Sequence, residues 1–146
     1  MDKSQEGSLM MRVIRNAVLF TGFVALVGCS TTPISVREAV QVPSQCYKQP
    51  SPDAATVVVI RDAGLMGAAC ATEVLVDGQV VGEVRAGEKL VLYVPAGDII
   101  LGAQPRGICA GNLVEIEARL TRQKHAFFRI GMNQNGSMGL YRTVPR

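Results

Sequence analysis

The chain has 146 residues, a net charge of +3, 48% hydrophobic residues, one histidine, four cysteines and no tryptophan. Its Lys and Arg residues are scattered and form no run, which argues against a nucleic-acid partner. Aromatics at 5% leave few stacking platforms, while fifteen glycines and seven prolines suit short strands joined by turns.

Residues 1–9 are polar and mildly acidic, unlike the start of an export signal. Met10 and Met11 stand just before Arg12 and Arg15, so translation is expected to begin at one of these methionines. Residues 17–28 form an apolar run. A membrane-spanning helix needs about 20 apolar residues, so the run is too short to span and fits the apolar region of a signal peptide.

The run closes on Leu26-Val27-Gly28-Cys29. That stretch resembles the lipobox of bacterial lipoproteins. The resemblance implies a signal peptide over residues 1–28, cleavage between Gly28 and Cys29, and lipid on Cys29. Small Gly28 suits entry to a signal peptidase, and the Cys29 thiolate is the form that attacks an acyl-glycerol donor. One acyl chain anchors only marginally. Lipoproteins of this kind carry a diacylglyceryl group on sulfur and usually a third chain on the new amino terminus. Ser30 after the lipid site favours the outer membrane, as in enteric bacteria, with the inner membrane or the cell surface as alternative placements. The competing reading of the run is an uncleaved anchor or a buried helix, which its length and the closing Gly-Cys disfavour.

Residues 29–53 hold the lipidated cysteine and a Pro-rich stretch broken by Pro33, Pro43, Pro50 and Pro52. Without apolar periodicity, it reads as a flexible tether, spanning roughly 25–30 Å if flexible and up to about 70 Å if extended. Within it, residues 35–39 have the composition of a single helical turn.

A folded domain is expected over residues 54–146. The β-branched run 56–61 (TVVVIR) predicts a strand, buried on both faces or pairing early. A Gly- and Ala-rich loop follows over 62–69. Residues 72–77 alternate, with Val74 and Val76 on one face, and Asp77-Gly78 predicts a tight hairpin turn. The return strand, 79–85, puts Val80 and Val84 on one face. After Ala86-Gly87-Glu88, Leu90, Leu92 and Val94 share a face; Pro95-Ala96-Gly97 turns the chain into a strand over 98–104. A loop over 105–112 contains Cys109. Residues 113–120 alternate most cleanly, with Val114, Ile116, Ala118 and Leu120 inward. Ala126, Phe128 and Ile130 line the next strand, and residues 138–144 form the last one, an expected sheet edge. About eight short strands at regular spacing predict an all-β fold, an antiparallel sandwich or small barrel, with the sandwich favoured.

Val76-Asp77-Gly78, Val81-Gly82, Gly87-Glu88 and Val94-Pro95-Ala96-Gly97 are turn motifs. Together they resemble the β-sandwich domain of small bacterial outer-membrane lipoproteins of unknown function, and the PEGA module. The chain has Pro95-Ala96-Gly97-Asp98 in place of the module's Pro-Glu-Gly-Ala. The resemblance implies a fold and an anchored setting and carries no catalytic residue.

No residue set points to catalysis. His125 is alone, and no Cys-x-x-Cys spacing offers a zinc site, so neither a metal nor a cofactor is expected. Glu115 and Glu117 share a strand face, the pattern of a solvated face more than of a hydrolytic pair. Asp62, Asp77 and Asp98 adjoin turns, where Asp commonly bonds its own backbone. Leu75, Tyr93 and Phe127 point outward and are candidates for a docking patch.

The remaining cysteines bear on compartment. An exported domain meets oxidising conditions. If every strand reverses direction, odd-numbered interstrand loops share one end of the sandwich. Cys70 belongs to the first such loop or to the start of the second strand, and Cys109 to the fifth loop, so a Cys70–Cys109 disulfide is expected. Cys46 enters from the opposite end and stays out of it. The expected protein is a lipid-anchored, periplasm-facing, non-enzymatic sandwich that binds or supports another envelope component. Its partners would be the membrane, through Cys29, and an envelope protein. The alternative is a small-ligand or peptide binding module using the loop ends at 64–69 and 106–112.

Overall fold

A computed structural model describes residues 31–64, 67–109, 111–133 and 135–145. The expected cleavage site at Gly28 and Cys29 lies outside the described residues. These contain nine strands and no helix: β1 (Val40–Val42), β2 (Ala54–Arg61), β3 (Thr72–Val76), β4 (Gln79–Val84), β5 (Glu88–Pro95), β6 (Gly97–Pro105), β7 (Val114–Leu120), β8 (His125–Met132) and β9 (Met138–Thr143). They form a five-stranded sheet in the order β1-β5-β2-β8-β9 and a four-stranded sheet in the order β4-β3-β6-β7. The all-β sandwich expected from the alternation is therefore present.

Two pairs depart from a purely antiparallel arrangement: β1 with β5, and β2 with β8. The β2–β8 case follows from strand parity. Each strand reverses its predecessor, and β8 comes six strands after β2, so the two run the same way. Register then stacks apolar residues in rows: Val57 sits between Leu92 and Ala126, and Val59 between Leu90 and Phe128. Opposite them the four-stranded sheet presents Val74, Val76, Leu101, Ala103, Ala118 and Leu120, all buried.

The Asp77-Gly78 turn has φ of 51° and 78°, the positive values a type I′ hairpin needs. The return strand differs from simple alternation. Leu75 pairs with Val80 but Val74 pairs with Gly82, so Val81 is one extra residue in β4. This bulge turns Val81 and Val84, rather than Val80 and Val84, fully into the core. Gly82 beside it is needed for packing: a Cβ there would come within 2.8 Å of a Leu90 methyl.

The expected flexible tether is corrected over residues 31–53. Strand β1 pairs with β5, Thr32 bridges Ala63, and Ala39 is buried. The physical reason lies in β2, whose run is buried on both faces. Val59 and its row face the main core, whereas Val58 and Ile60 face outward and need cover. Ile34, Val36 and Ala39 supply it, joined by Val91 and Phe127, in a second apolar cluster. Burying a Val or Ile side chain contributes about 1.5–3 kcal/mol, enough to hold a short segment down. The single turn expected near residue 35 is present as a reciprocal cap. Ser35 N donates to Glu38 Oε2 at 3.1 Å and Glu38 N donates to Ser35 Oγ at 3.3 Å. The Ser35 hydroxyl also donates to Glu38 Oε2 at 2.7 Å, and this bond, with the one from Ser35 N, holds the Glu38 carboxyl below its usual range.

Candidate functional site

The features with most chemical content gather at one end of the sandwich. Cys70, before β3, and Cys109, after β6, form a disulfide with Cα atoms 5.9 Å apart, as the parity argument expects. Cys46 is free and half-buried at the other end, with Gln79 Nε2 3.6 Å from its sulfur.

Beside the disulfide, Arg61 ends β2 with its side chain turned into the structure, only 4% of the residue exposed. Its guanidinium donates through Nη1 to Cys70 O at 2.5 Å and Val84 O at 3.3 Å, and through Nη2 to Gly67 O at 2.6 Å. Burial lowers its pKa, Glu88 acts in the opposite sense, and Arg85 adds to the lowering. Three carbonyls replace water around the charge, which is how a buried cation stays tolerable. The same bonds tie the loop carrying Gly67 and Cys70 to the end of β2.

A cleft of about 610 Å³ opens over this arrangement, with Arg61, both half-cystines, Asn112, Met132 and Ser137 among its lining residues. It brings together the two expected loop ends, through Gly67 on one side and Cys109, Gly111 and Asn112 on the other. The cleft is polar and apolar by turns and holds one buried cation. Among its described lining residues there is no nucleophile–base pair of the kind hydrolytic chemistry uses.

The other candidates lie elsewhere. His125 is exposed at the opposite end, stacked on Phe127 with ring centroids 6.0 Å apart. Glu115 and Glu117 are exposed on β7. Among the described residues no group of three or more His, Cys, Asp or Glu is placed to hold a metal ion. Leu75, Tyr93 and Phe127 do not form one patch: Leu75 is buried on the four-stranded sheet, while Tyr93 and Phe127 belong to the five-stranded one.

The aspartates bond differently from the self-capping expected at turns. Asp62 pairs with Arg129 and takes a bond from Ile34 N at 3.4 Å. Asp77 Oδ1 accepts from Ile100 N at 2.8 Å, fastening the hairpin to β6. Asp98 is bidentate with Arg119, at 2.7 and 3.0 Å. That pairing holds the Asp98 carboxyl below its usual range. Neither Arg61 nor the Asp62–Arg129 pair was expected from sequence. The available signal was a charged residue closing an apolar run, and one set among the outward positions of a strongly apolar strand.

The sequence matches no protein-family model and no curated protein.

Proposed function

We propose that this protein is a lipid-anchored lipoprotein of the bacterial envelope, whose sandwich binds or supports another envelope component without catalysis of its own. The observation that carries the reading is the apolar run ending in Leu26-Val27-Gly28-Cys29. The Cys70–Cys109 disulfide supports it, since such bonds persist in exported compartments. Placement in the outer membrane rests on Ser30, and kinship with PEGA-like lipoprotein domains rests on the turn motifs. Labelled palmitate is expected to enter the wild type and not Cys29→Ser; equal labelling of both would end the proposal.

The edge strand β9 is the proposed contact with a protein partner. It borders the five-stranded sheet, with Tyr141 exposed on it and Val144 exposed just past its end. An edge strand carries backbone groups that a partner strand can complete. Adjacent residues of β9 point their N–H groups alternately toward β8 and away from it. Of Tyr141→Pro and Arg142→Pro, one therefore blocks only the free side. That variant is expected to stay folded and lose its crosslinked partner from isolated envelopes, and undiminished recovery would exclude this edge.

The cleft favours a second reading, a binding module for a small ligand or peptide, because the two expected loop ends meet there. Native mass spectrometry of protein purified from its own cells separates the two. A retained small molecule, lost in Asn112→Trp, would favour the binding module.

A further inference from the structure

We propose that the disulfide end of the sandwich rests on the lipid bilayer, with Ile108 entering the interface as an apolar tip. This rests on the lipid anchor proposed for Cys29.

The described chain begins at this end. Thr32 bridges Ala63 in antiparallel sense, so the backbone leaving toward residue 31 continues past the end of β2. Thr31 Oγ1 donates to Met132 O at 3.1 Å, and Met132 lines the same cleft as Cys109. The exit is clamped a few residues further in, where Ile34 N bonds to Asp62 and Arg129 Nη2 donates to Ile34 O at 3.0 Å. Two residue steps separate Thr31 from Cys29, and two steps of extended chain cover at most about 7 Å. A headgroup layer is itself about 5–8 Å deep, from bilayer dimensions of about 30 Å without headgroups and about 40–45 Å with them. A lipid on Cys29 therefore holds this end against the headgroups, where a free tether of the kind expected from the prolines would have let the sandwich stand off.

What stands at that end suits an interface. Ile108 is 92% exposed, the most exposed large apolar side chain among the described residues. A single exposed Ile is unremarkable in water. This one follows Gly107, which turns the chain at φ 79°, and precedes Cys109, whose disulfide ties the loop to Cys70. Arg85 and Arg106 border the shallow dish it rims. Guanidiniums at the root of an apolar tip are placed as interfacial anchors are, with the cation among headgroup phosphates and the hydrocarbon below. The exposed Arg106 is shared with Glu73 and Glu83, so the apolar contact, and not a large net charge, is the main feature.

The absence of tryptophan makes the test direct. Ile108→Trp and, at the opposite end, Arg122→Trp each introduce one emitter into the full lipidated chain. Both proteins are reconstituted with vesicles of phosphatidylethanolamine and phosphatidylglycerol bearing brominated acyl chains. Ile108→Trp is expected to shift to the blue and be quenched, and Arg122→Trp to do neither. Co-sedimentation with the vesicles reports the anchor separately. Co-sedimenting protein whose Ile108→Trp emission is unchanged would overturn the orientation and leave the anchor standing. Equal quenching at both positions would also overturn it. Lipidated protein that fails to co-sediment would overturn anchor and orientation together.

Discussion

Arg129 and Asp62 form an ion pair that grips the Ile34 backbone from both sides, one donating to its carbonyl and the other accepting from its N–H. The pair is nearly buried, with side-chain exposures of 13% and 8%. It joins β8, the end of β2 and the segment that covers the outer apolar cluster, adding a polar clamp to the apolar contacts that seat that segment.

Replacing Arg129 by Met leaves the Asp62 carboxylate buried without its cation. Breaking such a pair costs about 3–5 kcal/mol. Denaturant unfolding should show this loss, and limited proteolysis should cut residues 31–39 faster. The double variant Asp62→Asn, Arg129→Met is expected to recover part of the stability. Losses that simply add would show that the two side chains act independently.

The disulfide closes a loop between residues 39 apart in sequence. In the chain-entropy account, a loop of that size contributes roughly 4 kcal/mol. Cys70→Ala with Cys109→Ser should lower stability by about that amount at equilibrium, whereas Cys46→Ser should leave the non-reducing peptide map unchanged. A map linking Cys46 to either half-cystine would contradict the placement of the two ends.

Gly82 lies against Leu90, which is fully buried. Gly82→Ala is expected to destabilise by about 1–3 kcal/mol through overpacking, and adding Leu90→Val should restore part of that loss. A neutral Gly82→Ala would mean that the bulge next to it relaxes freely.

Much of the sandwich was legible in sequence because its strands obey period-two alternation and its turns carry Gly and Pro. Val114 through Leu120 and the Asp77-Gly78 turn are the plainest cases. The disulfide followed from counting reversals. The seating of residues 31–53 was not legible, because its cause lies in another part of the chain. Polar, proline-broken sequence reads as a tether until Val58 and Ile60 are seen to lack cover on their outer face. The run at 56–61 already held that demand, since a strand apolar on both faces needs something on each. The β4 bulge had no local mark beyond Val80-Val81-Gly82, and the buried Arg61 none beyond its place at the end of an apolar run. A charge on a strand normally faces water, and only the assembled fold shows the carbonyls that meet this one. The cleft was legible as two loops on the same end but not as a shape.

The central claim is the lipid on Cys29. The most direct test is mass spectrometry of the amino-terminal peptide of protein extracted from membranes of its own cells. The account predicts a mature chain that begins at Cys29 and carries a diacylglyceryl group on sulfur. A chain that retains residues before Cys29, or an amino-terminal Cys29 with a free thiol, would contradict it.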